Sequence, residues 1–79
     1  MVEYLKAIVS PLLSQPDYLV VDEKLDERGI LLSIHIATSD MGKLIGREGQ
    51  TIQSVRNLMH TYGIIHEKRI SVKIIDPKQ

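Results

Sequence analysis

The chain has 79 residues, no cysteine, ten basic and ten acidic side chains, and 43% hydrophobic residues. A chain this short buries only about 60% of the surface its unfolded form exposes, which excludes most enzymes built around large dedicated pockets and makes a stabilising partner worth looking for. Absence of cysteine removes disulfide and thiolate-metal chemistry, and Glu3, Lys6, Ser10 and Pro11 break the N-terminal apolar run well short of the roughly 18 residues of a membrane span, so a cytoplasmic protein with no membrane partner is expected.

Leu5, Ile8 and Leu12, and again Val2, Val9 and Leu13, recur at helical spacing and predict an amphipathic helix over 2–13 with a broad apolar face. Pro11 lacks an N–H, so the helix either kinks there or restarts with Ser10 as cap and Pro11 at its first position. After Pro16-Asp17, Leu19, Val21 and Leu25 alternate with Val20, Asp22, Lys24 and Asp26, the pattern of a half-buried edge strand, imperfect at Glu23. Asp26-Glu27-Arg28-Gly29 reads as a hairpin loop of about three to five residues with Gly29 at positive φ.

The second strand places Ile30, Leu32, Ile34 and Ile36 on the core face and Leu31, Ser33, His35 and Ala37 opposite. Thr38-Ser39-Asp40 offers N-cap side chains to a helix of under two turns, Met41 to Ile45, halted by Gly46. The next helix begins near Gly49 or Gln50, buries Ile52, Val55, Leu58 and Met59, and ends at Tyr62-Gly63. A loop with His66, Glu67 and Lys68 leads to a third strand, Arg69 to Ile75, with Ile70, Val72 and Ile74 inward and Ser71 and Lys73 outward.

A connection of about thirty residues with two helices joins strands two and three, as a crossover between parallel neighbours requires. The expected fold is therefore α+β in the order α-β-β-α-α-β: two layers, a three-stranded mixed sheet, and three helices on one face. Residues 1–75 are expected to form one domain, and 76–79 a loose tail.

The neutral total hides an asymmetry. Residues 1–29 hold three basic and six acidic side chains, whereas residues 30–79 hold seven and four. An anionic partner is thus sought in the second part. There, Leu44-Ile45-Gly46-Arg47-Glu48-Gly49-Gln50-Thr51-Ile52 forms a G-x-x-G turn between two helices. Gly46 stands where the first helix must stop. Gly49 leaves room beside the N–H groups and the positive dipole end of the second helix, a small anion site. Lys43, Arg47 and Arg56 add positive charge, so the expected guest is a sugar-phosphate backbone.

The apolar-Ile-Gly-x-x-Gly-x-x-Ile run resembles the signature of the KH (K homology) family of single-stranded nucleic-acid binders and fits it at every defined position. The element order is that of the bacterial, type II arrangement, and the resemblance runs from the first helix through Ile75. The length, Ala7-Ile8-Val9-Ser10-Pro11-Leu12, and Ser39-Asp40-Met41-Gly42-Lys43-Leu44-Ile45-Gly46 are similar in particular to small stand-alone bacterial members. The resemblance implies that Gly46 to Gly49 clamps the backbone of about four unpaired nucleotides, RNA above all. It also implies an apolar groove for the bases between the two central helices and the sheet edge, with Ile45 and Ile52 lining it, and counts Gln50 among the RNA-binding residues. A homodimer, a heterodimer with a larger multidomain KH protein, and a role as RNA chaperone or post-transcriptional regulator follow as expectations. Glu48 is the departure, since it sets a carboxylate where phosphate is expected.

Competing readings find less support. Neither G-x-x-x-x-G-K nor G-x-G-x-x-G is present, and the absence of Phe and Trp disfavours folds that stack bases on aromatic platforms. His35, His60 and His66, separated by 25 and 6 residues, fall on a strand, a helix end and a loop, so no metal site is expected. No Ser or Thr sits in a nucleophile pattern, so neither an enzyme nor a small-molecule substrate or cofactor is expected. Arg69 and Lys73 read as edge protection. The remaining alternative is a protein-interaction module of KH shape that works mainly by dimerising.

Overall fold

The computed structural model describes residues 1–75; the expected loose tail, 76–79, lies outside the described residues. Its elements run α1 (Val2–Val9), β1 (Val20–Asp26), β2 (Gly29–His35), α2 (Met41–Ile45), α3 (Gln50–Ile65) and β3 (Ile70–Ile75), the order read from the sequence.

The first helix ends earlier than its apolar spacing suggests. Pro11 cannot donate to a regular helix, and the chain tightens after Val9 into a 3₁₀ turn, Ser10–Leu12, with Pro11 near its start. The Ser10 side chain makes no cap bond; its backbone N–H donates to the Lys6 carbonyl and closes α1. The inward row is Leu5, Val9 and Leu13, all buried, whereas Val2 and Ile8 are half-buried and Leu12 is 39% exposed.

β1 and β2 pair antiparallel from Val20 opposite His35 to Asp26 opposite Gly29. The turn is therefore only Glu27-Arg28, shorter than expected, because the Asp26 carboxylate accepts the Arg28 N–H at 2.8 Å and closes it locally. Gly29, the first residue of β2 rather than part of the loop, nevertheless has the expected positive φ, 128°. Val21, Glu23 and Leu25 share the face of their partners Ile34, Leu32 and Ile30, yet only Val21 is half-buried. Leu25 is 68% exposed because helical cover stops short of this corner, where Glu23 also faces water. An inward-facing charge on an edge strand discourages pairing with another sheet.

β2 lies in the middle of the sheet, antiparallel to β1 and parallel to β3, with Leu32 opposite Val72 and Ile34 opposite Ile74. Ile30, Leu32, Ile34 and Ile36 are all buried, and they meet Leu5, Val9, Leu44, Ile52, Val55, Met59 and Val72 in one core. The other sheet face carries Ser33, His35, Ser71 and Lys73, with His35 Nε2 2.7 Å from Asp22 Oδ2.

α3 departs twice from its expected course. Leu58 is 46% exposed rather than buried, because the core stripe runs Ile52, Val55, Met59 and Gly63. The helix also continues through Tyr62-Gly63 to Ile65. Gly63 marks a close approach instead of a stop: a Cβ there would overlap the Lys68 carbonyl and touch Ile70 at 3.3 Å, and the Gly63 carbonyl accepts the Lys68 N–H at 2.7 Å.

Candidate nucleic-acid interface

α2 has five residues, with Leu44 buried beneath it, and ends where Gly46 takes φ 76° and ψ 179°, a conformation essentially confined to glycine. A Cβ at Gly46 would overlap the Thr51 hydroxyl and lie 2.6 Å from the Thr51 Cβ. Gly49, at φ 75° and ψ 12°, has nothing within 4 Å of such an atom. The two glycines therefore differ: Gly46 lets the turn close on α3, and Gly49 keeps its outer surface open.

Between them the chain passes through Arg47 in helical and Glu48 in left-handed conformation, the latter at φ 55° and ψ 29°. The Gly49 N–H is taken by the Gly46 carbonyl at 3.2 Å, and the Gln50 N–H by the Arg47 carbonyl, so two amides expected to await an anion are already bonded. The Arg47 and Glu48 N–H groups meet no acceptor among the described residues. A right-handed residue followed by a left-handed one turns successive N–H groups toward one point, an anion-binding concavity. Arg47, Glu48 and Gln50 are exposed around it.

The remaining cations are held elsewhere. Lys43 bonds through Nζ to Ser14 Oγ and lies 3.9 Å from Asp40 Oδ1, on the side of α2 that meets the α1–β1 linker. Arg56 donates from Nε to the Val72 carbonyl at 3.3 Å, which pins its guanidinium against β3. Arg56 is thereby a wall of a groove between α3 and the sheet edge, lined by Gln53, Arg56, Asn57 and His60 and floored by Ile70, Ser71 and Val72.

The resemblance implies a groove walled by both central helices; this one is formed by α3 and β3 alone, and its helical wall is polar. Gln53, Arg56, Asn57 and His60 follow i, i+3, i+4, i+7 spacing on one stripe of α3, and Gln53 Nε2 donates to the side-chain oxygen Asn57 Oδ1 at 3.2 Å. Ile52, expected to line it, is 6% exposed in the core, whereas Ile45 is 38% exposed at the end of α2. The polar stripe was visible in the sequence as the complement of the Ile52, Val55, Met59 row.

One cluster had no local signal. Asp40 is fully buried, its Oδ1 accepting the Ser14 N–H and its Oδ2 the Gln15 N–H, each at 2.9 Å. The expected side-chain cap on α2 is absent, because both oxygens are spent on this linker. The Ser14 N–H above all holds the carboxyl below the usual carboxylate range; burial opposes it, and the Gln15 N–H and nearby Lys43 reinforce it.

The three histidines are dispersed: His35 on the open sheet face, His60 in the groove, and His66 against Tyr62, which stacks on Tyr4 with centroids 4.8 Å apart. Among the described residues no group of three potential ligands is placed to hold a metal, and no helix is long and apolar enough to cross a membrane.

Comparison with known proteins agrees with this geometry. The family model KhpA/KhpB, KH domain, matches residues 2–74. The RNA-binding protein KhpA of Caldanaerobacter subterraneus subsp. tengcongensis is 35% identical over 73 residues, covering 92% of this chain and 97% of the relative. That of Clostridium acetobutylicum is 33% identical over 75 residues, covering 95% and 100%, and that of Bacillus subtilis 34% over 70 residues, covering 87% and 85%. These relatives are named for binding, and the family is a non-enzymatic one. With the α-β-β-α-α-β order, the mixed three-stranded sheet and the G-x-x-G turn joining α2 to α3, the chain belongs to the KH domain family of KhpA and KhpB.

Proposed function

We propose that the chain is a single-stranded RNA-binding module of the cytoplasm, one KH unit over residues 1–75, that clamps a short unpaired segment with the Gly46–Gly49 turn. The observation that carries this reading is the open surface at Gly49, beside the unbonded Arg47 and Glu48 amides and at the head of the α3–β3 groove. A phosphate over the turn leaves bases directed along α3 toward the sheet edge, where Gln53, Asn57 and His60 offer hydrogen bonds and Ile70 and Val72 apolar contact. The relatives' description as RNA-binding proteins supports the same reading. Titration of a short unstructured RNA against the wild-type chain and Gly49→Asp tests it. The variant puts a carboxylate in the open space and is expected to abolish binding while staying folded. Unchanged affinity in the folded variant overturns the clamp.

The module is further proposed to work as a homodimer, and as a heterodimer with a larger, KhpB-like KH protein, in RNA chaperoning or post-transcriptional regulation. Exposed Leu58 and Ile65 beside the Tyr4–Tyr62 stack support an apolar contact surface on the helical layer. The same surface favours the second reading, an interaction module that binds little RNA, and the titration separates the two.

A further inference from the structure

α2 is too short to hold a direction through its own hydrogen bonds, so its ends and its single buried side chain, Leu44, must orient it. At its C-terminal end Gly46 closes on Thr51. At its N-terminal end Asp40 receives both amides of the Ser14-Gln15 linker, from residues 26 and 25 positions away. The contact is reciprocal. The Gln15 side chain donates to Ser39 Oγ at 3.1 Å, and Lys43 of α2 reaches back to Ser14 Oγ. The linker and the arm formed by Ser39, Asp40 and α2 are thus tied by four hydrogen bonds around one dry carboxylate. Loss of that carboxylate leaves two amides without partners and α2 without its N-terminal anchor.

We propose that Asp40 is a positioning residue for RNA binding: through the Ser14-Gln15 brace it holds α2, and with it the Gly46–Gly49 turn, in the orientation that admits a nucleotide backbone. This rests on the RNA-binding reading above. Asp40 is fully buried and touches no RNA; it acts through the arm. Linkage makes the idea measurable from both sides. If an intact brace strengthens RNA binding by some factor, bound RNA must strengthen the brace by the same factor.

The test titrates a short unstructured RNA against the wild-type chain, Asp40→Asn, Gly49→Asp and Val21→Ala, with thermal melting of each. Val21 is a half-buried edge-strand residue that forms none of the brace's hydrogen bonds and serves as a destabilised control. Asp40→Asn is expected to weaken binding roughly five-fold or more at temperatures where it is fully folded. Val21→Ala binds as wild type. Amide exchange on the wild-type chain supplies the second arm: saturating RNA raises protection at Ser14 and Gln15 by the factor that Asp40→Asn loses. Wild-type affinity in Asp40→Asn, a loss no larger than that of the control, or unchanged protection overturns the proposal. Should Asp40→Asn not fold, the exchange measurement decides. Gly49→Asp separates the two levels: if it keeps its affinity, the clamp itself falls, whereas its loss beside an unaffected Asp40→Asn removes the brace alone.

Discussion

Thr51 fills the space in front of Gly46, while the equivalent space at Gly49, three residues on, is empty. Both glycines have positive φ, so a side chain is strained at either, but only at Gly46 does it also collide with α3. The Gly-x-x-Gly turn is therefore one residue of packing and one of access. This division gives each glycine its own experimental signature.

Gly46→Ala should destabilise the fold by roughly 3 kcal/mol, from the glycine-only backbone conformation together with the overlap at Thr51. Gly49→Ala should cost only about 1 kcal/mol, the left-handed penalty without a clash. Denaturant melts of the two variants check this. Equal losses would mean that α3 shifts to accommodate a side chain at Gly46.

Glu48 joins two effects that separate by substitution. Its left-handed backbone carries strain of about 1 kcal/mol, which Glu48→Gly relieves in part, since glycine also loses more freedom on folding. Its exposed side chain adds a negative charge within the turn that forms the proposed anion site. Glu48→Gly should therefore stabilise the protein modestly and strengthen RNA binding, whereas Glu48→Lys should strengthen binding more without relieving strain. Melting and titration of the pair distinguish backbone from charge.

Much of this fold is legible in the sequence, and the exceptions share a cause. Ile30, Leu32, Ile34 and Ile36 alternate without a break, and all four are buried, because the period of a strand dictates its faces. The G-x-x-G turn was legible because glycine is demanded by local backbone geometry. Gly63 misleads because the same residue type serves a close approach, set by Lys68 and Ile70 returning toward the helix. Leu58 misleads because apolarity alone does not say which side of a helix the sheet covers. Asp40 looks like an ordinary cap, and only its partners at Ser14 and Gln15 reveal otherwise; no local pattern encodes a contact across that separation.

Asp40 also sets an acid limit. With its carboxyl held below the usual range, its stabilising contribution is fully present above the unfolded-state value of about 3.9 and is lost as pH falls below that, through the folded-state value. Lys43 is the charged side chain beside it among the described residues. Wild type should lose stability below about pH 4. Asp40→Asn, less stable at neutral pH, should lose less over the same interval. Parallel pH profiles for the two proteins would assign the acid transition to other carboxylates.

The proposed self-association draws on Leu58, 46% exposed, and Ile65, 71% exposed, beside the Tyr4–Tyr62 stack. A thermal midpoint that rises with protein concentration is expected, together with a dimer mass in sedimentation. Ile65→Asp should return the chain to a monomer at little cost to its own fold, since the side chain is largely in water. A monomer mass for wild type up to about the millimolar range removes the dimer.

The salt dependence of RNA binding counts the cations that reach phosphate. Lys43 is engaged by Ser14 and Asp40, which leaves Arg47 beside the turn and Arg56 along the groove. Two phosphates neutralised on a single strand give a slope of about −1.4, so raising salt from about 50 to 200 mM should weaken binding roughly seven-fold. Such a short clamp should bind at micromolar strength or weaker alone, and more tightly when dimerisation joins a second KH unit. Arg47→Ala should flatten the slope by about 0.7, and Glu48→Lys should steepen it by about the same amount. Lys43→Ala is the discriminating variant, because its sequence position suggests a phosphate contact and its geometry does not. It should leave the slope unchanged. A flattening equal to that of Arg47→Ala would mean that bound RNA draws Lys43 away from Ser14 and Asp40.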